Sequence, residues 1–472
     1  MHYPKTILWV FIISIIALYA QEPRYPFPQK VTYPYGVTAT ERDALTEHAA
    51  QWYTDWKKQY LQECSGNLRP GVDPLSISLV SAQGFSMVAV AYFGEKEVFD
   101  KLYNFYKSKC SSSTCGLMNW KVNCSGVEPD GRGAATDGDV DVACALIVAH
   151  WQWPDDGYDD KARAVIANLE NLVTDCDGVS ALHPGCSTGG GLWGGCNETD
   201  ISYYTPAFFR YFADFSDDPE KWKQLAEDTH IIRDNAANAT TGLVPDWQSV
   251  EGRAGAGTRV AYFGNDAQRA PYKQTMDFLW HGNEKAENWA KKFGSWIYED
   301  VGVANFVDGY DLDGSPRGSS HRMYCAGSAT VAAMANTQEV FDAFVDDVIK
   351  IETEDWRSSY LGNLYLLAAS GNMWTPEIID FQSSGMHQKK RPAAKGQIVR
   401  VRNDRYGKII VSGVSEGTLV HIYGISGKRT ARRTFNHSTD QFISPAFVPG
   451  CYVVQITDVA DVIHYTAIVT VN

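Results

Sequence analysis

Two short stretches combine residue types that do charge or proton chemistry. Residues 265–271 read Asn-Asp-Ala-Gln-Arg-Ala-Pro and run on into Met276-Asp277-Phe278-Leu279-Trp280. Asp266 stands at the mouth of an expected helix with Arg269 three residues on. That cation and the helix N-terminal amides would hold the carboxylate ionised. A helix N-cap with a local ion pair has the same pattern, and both readings stay open here. Residues 134–141 read Ala-Ala-Thr-Asp-Gly-Asp-Val-Asp, with Asp137, Asp139 and Asp141 at alternate positions. The alternation is like a calcium loop, yet a helical pattern follows at once and the downstream glutamate is missing. Capping accounts for one or two of the three, and Asp137 is expected to precede the helix in a Gly-rich loop. Aromatic residues supply the other chemical signal, at 12% of the chain, with Trp193 set among the glycines of 189–195. Such rings on loops suit the apolar C–H faces of sugars, although burial is the ordinary role of any single one.

The elements that must position these residues are mostly helical. Apolar residues recur at three- and four-residue spacing over 41–60, 83–107, 139–151, 161–174, 201–215, 220–235, 269–280, 284–298, 328–335, 338–351 and 360–369. Long loops rich in Gly, Asp, Ser and Cys separate them. This alternation predicts a double ring of helices, an (α/α)6 toroid, with loops at one end lining a groove. A helical solenoid is the competing architecture, but no fixed-period repeat is found. After Asn372 the pattern changes. Residues 381–396 read as an exposed linker, and 397–472 alternate apolar and polar residues in short runs punctuated by Gly, which predicts a small β-sandwich.

At the N-terminus Lys5, the apolar run 7–18 and the small residues Ala17 and Ala20 predict an export signal over 1–20, leaving 21–380 for the helical domain. A retained anchor is the alternative, although the run is short for a bilayer. The 10 cysteines, eight of them before residue 200, include no CxxC pair. Disulfides in an oxidising compartment fit better than a zinc site, and neither metal nor cofactor is expected. The net charge of −14 and the lack of a dense basic run argue against a nucleic-acid partner.

An ordered set of motifs across 34–376 resembles glycoside hydrolase family 8, the inverting β-1,4-glycanases. The set comprises Gln83-Gly84-Phe85-Ser86-Met87, the Trp120 loop, residues 134–141, Trp193, Ser202-Tyr203-Tyr204-Thr205-Pro206-Ala207, residues 266–271, Gly309-Tyr310-Asp311-Leu312-Asp313-Gly314 and Ser370-Gly371-Asn372. In such enzymes an acid protonates the leaving oxygen and a base activates water, about 6.5–9.5 Å apart. The resemblance implies that Asp266 is the base, Arg269 its positioning arginine and Asp137 the carboxylate holding the distorted sugar. It likewise implies Trp120 and Trp193 as sugar platforms, Tyr203 as a wall of the central subsites and a β-1,4-linked polysaccharide as partner.

The chain departs from the family at the acid. The family pattern has a glutamate six residues before a methionine, and counting back from Met87 reaches Ser81. A one-residue gap would place Ala82 there instead, and neither side chain is a carboxylic acid. Asn265 also replaces a tyrosine that usually precedes the base. Two expectations follow: a hydrolase of cellulose, β-glucan or xylan type with impaired acid chemistry, or a non-catalytic glycan-binding protein on the same barrel. A structural surface protein with the barrel as spacer is a third and weaker reading. The C-terminal runs 419–428 and 448–454 resemble the sorting tails of the type IX secretion system, which implies contact with secretion machinery or the cell surface.

Overall fold

Two kinds of helix alternate along the first 370 residues. In the computed structural model, α1 spans Arg42–Tyr60, α2 Val80–Phe93, α3 Lys96–Lys109, α4 Thr136–Gln152, α5 Tyr158–Glu170 and α6 Pro206–Phe212. They are followed by α7 Pro219–Ala236, α8 Ala270–His281, α9 Glu284–Trp296, α10 Met323–Ala333, α11 Gln338–Val348 and α12 Trp356–Ala369. The structure describes residues 22–352, 355–383 and seven strands within 400–471. Helices α2, α4, α8, α10 and α12 are buried on nearly every face. Helix α3 buries one stripe, Phe99, Leu102, Tyr103, Phe105 and Tyr106, and α9 and α11 do the same. Helices apolar all round belong inside and striped ones outside.

Their packing follows that rule. Helix α2 packs on α4, α6 on α8, α8 on α10, α10 on α12 and α12 back on α2, while a 3₁₀ turn at Ile201–Tyr203 joins α4 to α8. Outside this ring α1 leans on α12, α3 on α2, α5 on α4, α7 on α6, α9 on α8 and α10, and α11 on α10. This double ring is the expected (α/α)6 toroid.

Several boundaries differ from the sequence reading, each for a local reason. The helix expected over 83–107 breaks at Gly94, whose φ of 76° ends α2 in the left-handed conformation that glycine adopts without strain. The one expected over 201–215 is interrupted at Tyr204 and Thr205, because α6 starts on Pro206 and the residue before proline avoids helical backbone. Helix α4 starts at Thr136, so Asp137 lies in its first turn and not in the preceding loop. The loop is shortened because Ala134 and Ala135 pair as a strand with Cys186 and Gly185. Helix α5 stops at Glu170, and Val173–Cys176 turns back on Val179–Leu182 as a hairpin.

Disulfides join Cys64 to Cys124, Cys115 to Cys186 and Cys176 to Cys196. The second anchors the segment after α3 to the strand pair that leads into Asp137. Cys110, Cys144 and Cys325 remain thiols. No helix among the described residues is long and apolar enough to cross a membrane.

The chain divides into units Met1–Ile378 and Ile379–Asn472. A last helix, α13 at Pro376–Ser383, takes up the first residues of the expected linker. The remainder of that linker and the export signal lie outside the described residues. In the second unit Arg400–Asn403, Lys408–Ser412 and Phe442–Ala446 form one antiparallel sheet. Leu419–Gly424, Arg429–Thr434, Gly450–Thr457 and Ile463–Val471 form another. The apolar–polar alternation expected over 397–472 is clear at 398–401, 409–412, 419–423, 452–456 and 465–471 and does not mark the strands at 429–434 and 442–446. One is rich in arginine and the other contains Pro445, so neither shows clean apolar alternation.

Candidate functional site

Helices α4 and α8 face each other and carry paired charges at the same spacing. From the first turn of α4, Asp137 accepts a 2.7 Å hydrogen bond from Arg269 Nη1 at the start of α8. One turn further in, Asp141 accepts from Lys273 Nζ at 2.9 Å. Four-residue spacing on each helix puts both rungs on facing sides. Asp139, between them in sequence, turns away to accept from the Tyr106 hydroxyl at 2.6 Å and the Met118 amide at 3.1 Å. The three aspartates therefore serve different partners and do not converge as a calcium loop would.

Arg269 is the centre of the cluster. Its Nη2 donates to Asp266 Oδ1 at 2.9 Å and to Ser202 Oγ at 2.7 Å, so one guanidinium holds Asp137 and Asp266 together. Asp266 occupies the cap position but makes no side-chain capping bond. The ion pair that both sequence readings share is present, and the side-chain cap that only one of them requires is not. The Asp266 side chain keeps 37% of its exposure, whereas Arg269 and Asp137 are buried. Burial opposes the charge on Arg269, but the carboxylates of Asp266, Asp137 and Asp200 outweigh it and hold the guanidinium protonated.

Two further carboxyls, Asp200 and Asp246, stand behind Asp266, and the sequence reading missed both. Asp200 is fully buried and caps the 201–203 turn through Oδ1, which accepts from the Ser202 amide at 2.8 Å. Its Oδ2 lies 3.8 Å from Arg269 Nη2 without a hydrogen bond. Burial and then the charge of Asp266 push Asp200 well above the usual carboxylate range. Asp246 accepts the Gly264 and Ala267 amides on a single oxygen, at 2.8 and 2.9 Å. Burial, followed by Asp266, pushes it up to about 7. Their sequence signals were slight: a capping aspartate two residues before Ser202, and the Pro245-Asp246-Trp247 run in a loop.

An aromatic wall continues from this cluster. The Tyr203 ring lies 5.5 Å from the Arg269 guanidinium and meets Trp247 edge-on at 5.9 Å. Trp247 stacks on half-buried Trp193 at 6.0 Å. Trp193 sits opposite Gly185, where a β-carbon would fall 2.4 Å from its indole nitrogen. Arg259 lies 4.5 Å from the Trp247 ring and 5.3 Å from Trp193, and pairs with Glu198 at 2.5 Å. Trp247, absent from the expected set, thus joins the expected Trp193 and Tyr203.

Ser81 and Trp120 approach from the other side. A β-carbon on Gly138 would lie 2.2 Å from the Val80 carbonyl oxygen and 2.7 Å from the Ser81 nitrogen, so the first turn of α2 touches the residue after Asp137. The Trp120 carbonyl accepts the Val80 amide at 2.9 Å and its own amide donates to Gly133 at 2.8 Å. Ser81, Trp120 and Asp137 are therefore neighbours along the backbone, and Ser81 is part-exposed. On the opposite flank the Tyr324 hydroxyl donates to Asn265 Oδ1 at 2.8 Å. A half-exposed carboxylate braced by a buried guanidinium, beside a row of aromatic faces, can take a proton from a reactant bound along that row.

The model for glycosyl hydrolases family 8 matches residues 25–371. Endoglucanase 2 of Ruminiclostridium josui is 29% identical over 394 residues, covering 79% of this chain and 83% of that protein. Endoglucanase C of Ruminiclostridium cellulolyticum is 29% identical over 408 residues, covering 82% and 84%. Among solved structures, the apo form of a β-1,3-1,4-glucanase from Paenibacillus sp. X4 superposes with a TM-score of 0.66 at 24% identity, over 75% of this chain and all of that one. That likeness concerns the fold.

Proposed function

The chain belongs to glycosyl hydrolases family 8, and from that premise we propose that it is an exported protein acting on β-1,4-linked glycan with its base retained and its acid lost. In this reading Asp266 takes the proton of the attacking water. Arg269 aims it, Asp137 holds the sugar at the cleavage point, and Trp120, Trp193 and Tyr203 line the subsites. The single observation that carries the reading is the guanidinium of Arg269, which grips Asp137 and Asp266 at 2.7 and 2.9 Å. Ser81, in the first turn of α2 beside Gly138, takes the place of the family glutamate. A hydroxyl cannot protonate a sugar leaving group as a carboxylic acid does, and losing that step slows hydrolysis on the order of 10²–10⁴-fold. The C-terminal unit is proposed to be a β-sandwich sorting tail that contacts the secretion machinery or the cell surface.

Leaving-group chemistry tests this directly. Fluoride departs without a proton, so β-cellobiosyl or β-xylobiosyl fluoride reads the base alone. Turnover of the fluoride, lost in Asp266→Ala and accompanied by little reducing-sugar release from cellulose derivatives or xylan, is the expected result. Ser81 also favours a second reading, a glycan-binding protein on the same barrel. No fluoride turnover, with retention on insoluble glucan that disappears in Trp193→Ala, would favour that reading over the first.

A further inference from the structure

We propose that Asp246 is the positioning residue of Asp266, acting through the backbone of the turn that carries it; the inference rests on the reading of Asp266 as the base. Asp266 is the exposed end of a short irregular turn, and its own side chain supplies no cap. The turn closes on itself, the Arg269 amide donating to the Asp266 carbonyl at 3.1 Å and the Gln268 amide to the Gly264 carbonyl at 3.3 Å, and a further constraint is needed to seat it against the neighbouring loop. One Asp246 oxygen supplies that constraint by accepting the amides of Gly264 and Ala267, on either side of Asn265 and Asp266, at 2.8 and 2.9 Å. The approach is close at Gly264, where a β-carbon would lie 2.9 Å from Asp246 Oδ2 and 2.8 Å from the Tyr262 ring and would push one of those side chains aside.

The anchor is itself fixed. Asp246 is 2% exposed, and its amide donates to the Tyr262 carbonyl at 2.9 Å, while the Trp247 amide donates to Val260 at 3.1 Å. Because Trp247 belongs to the aromatic wall, adjacent residues brace the wall and the Asp266 turn. No cation is paired with Asp246 among the described residues, which fits a carboxyl used as a hydrogen-bond acceptor and not as an ion partner. Burial and the charge of Asp266 push it up to about 7, so it sits largely neutral in mildly acidic solution. An amide at 246 keeps both the acceptor oxygen and that neutrality, whereas alanine is neutral but has no acceptor.

The experiment compares the full chain with Asp246→Asn and Asp246→Ala in two assays. On β-cellobiosyl fluoride, Asp246→Ala is expected to lower kcat by on the order of 10²-fold, as for a misplaced reacting group, with KM little changed. Asp246→Asn should restore most of the loss. In hydrogen–deuterium exchange, the peptide containing 264–267 should lose protection in Asp246→Ala and keep it in Asp246→Asn, while the helices elsewhere stay protected. The exchange assay does not depend on turnover. If the parent hydrolyses no fluoride, the base assignment fails while the anchoring of the turn is still judged by exchange. Unchanged protection in Asp246→Ala, or equal kcat in both variants, would overturn the proposal.

Discussion

Helix α8 has two charged ends that differ in how they are balanced. At its C-terminal end Asp277 is buried beneath a surplus of donors: Arg210 grips it at 2.6 and 2.9 Å and His230 Nε2 donates at 2.8 Å. Arg233 Nη1 donates to the opposite ring nitrogen of His230 at 2.8 Å, which fixes that ring as the neutral tautomer protonated on Nε2. Burial opposes the charge on Asp277, but the bonds from Arg210 and His230 prevail and hold it below the usual carboxylate range. At the N-terminal end the ratio reverses: Asp137, Asp200 and Asp266 crowd around Arg269, and Asp246 adds its carboxyl beside Asp266. Two of those carboxyls are pushed up. One helix thus carries a network matched for stability and a cluster that keeps acidic groups short of cations. Mismatch of the second kind is what reaction centres show, although structural clusters produce it too.

Breaking the balanced end should have the largest effect on the fold. Asp277→Ala strands buried His230 and leaves Arg210 to Glu227 alone at 2.8 Å, and a loss of about 3–5 kcal/mol is expected in urea unfolding. Because the folded pKa of Asp277 is depressed, its contribution is present above the ordinary carboxylate range and is lost as pH falls through the depressed value. The gap between parent and variant should therefore stay open from neutral pH down to mild acid and close only in strong acid.

An intermediate effect is expected at Asp139, where burial pushes the carboxyl up to about 7 against the bonds from Tyr106 and Met118. The sign is opposite here. The unfolded chain releases the proton near pH 4 and the folded chain retains it to about 7, so the parent loses stability as pH rises across that window. Asp139→Asn should flatten the slope, as measured by unfolding at pH 4, 5.5 and 7. An unchanged slope would remove Asp139 from the account. The smallest effect is expected at Tyr324→Phe, which deletes one part-buried hydrogen bond to Asn265. It should change stability by about 0.5–1.5 kcal/mol and alter fluoride turnover less than Asp246→Ala does.

The contrast also explains what could be read in the sequence. Asp266, Arg269 and Asp137 stand in motifs with local order, and Trp193 and Tyr203 in runs of unusual composition. Asp200, Asp246 and Tyr324 reach the site from loops and a helix that only the closed ring brings together. Nothing in their own neighbourhoods distinguishes them from capping or core residues. The ring itself was legible because apolar residues recur at helical spacing in one segment after another, with long loops between them. Its boundaries at Gly94, Thr136 and Pro206 were set by backbone conformation and strand pairing, which apolar spacing does not report.

The central claim, a base without its acid, is tested most directly by a leaving-group series. We would measure log(kcat/KM) for aryl β-cellobiosides against the pKa of the departing phenol. A chain lacking proton donation at position 81 should give a steep negative slope that flattens in Ser81→Glu. A shallow slope in the parent would show that a proton is already delivered to the leaving oxygen, and would contradict the assignment of Ser81 as the lost acid.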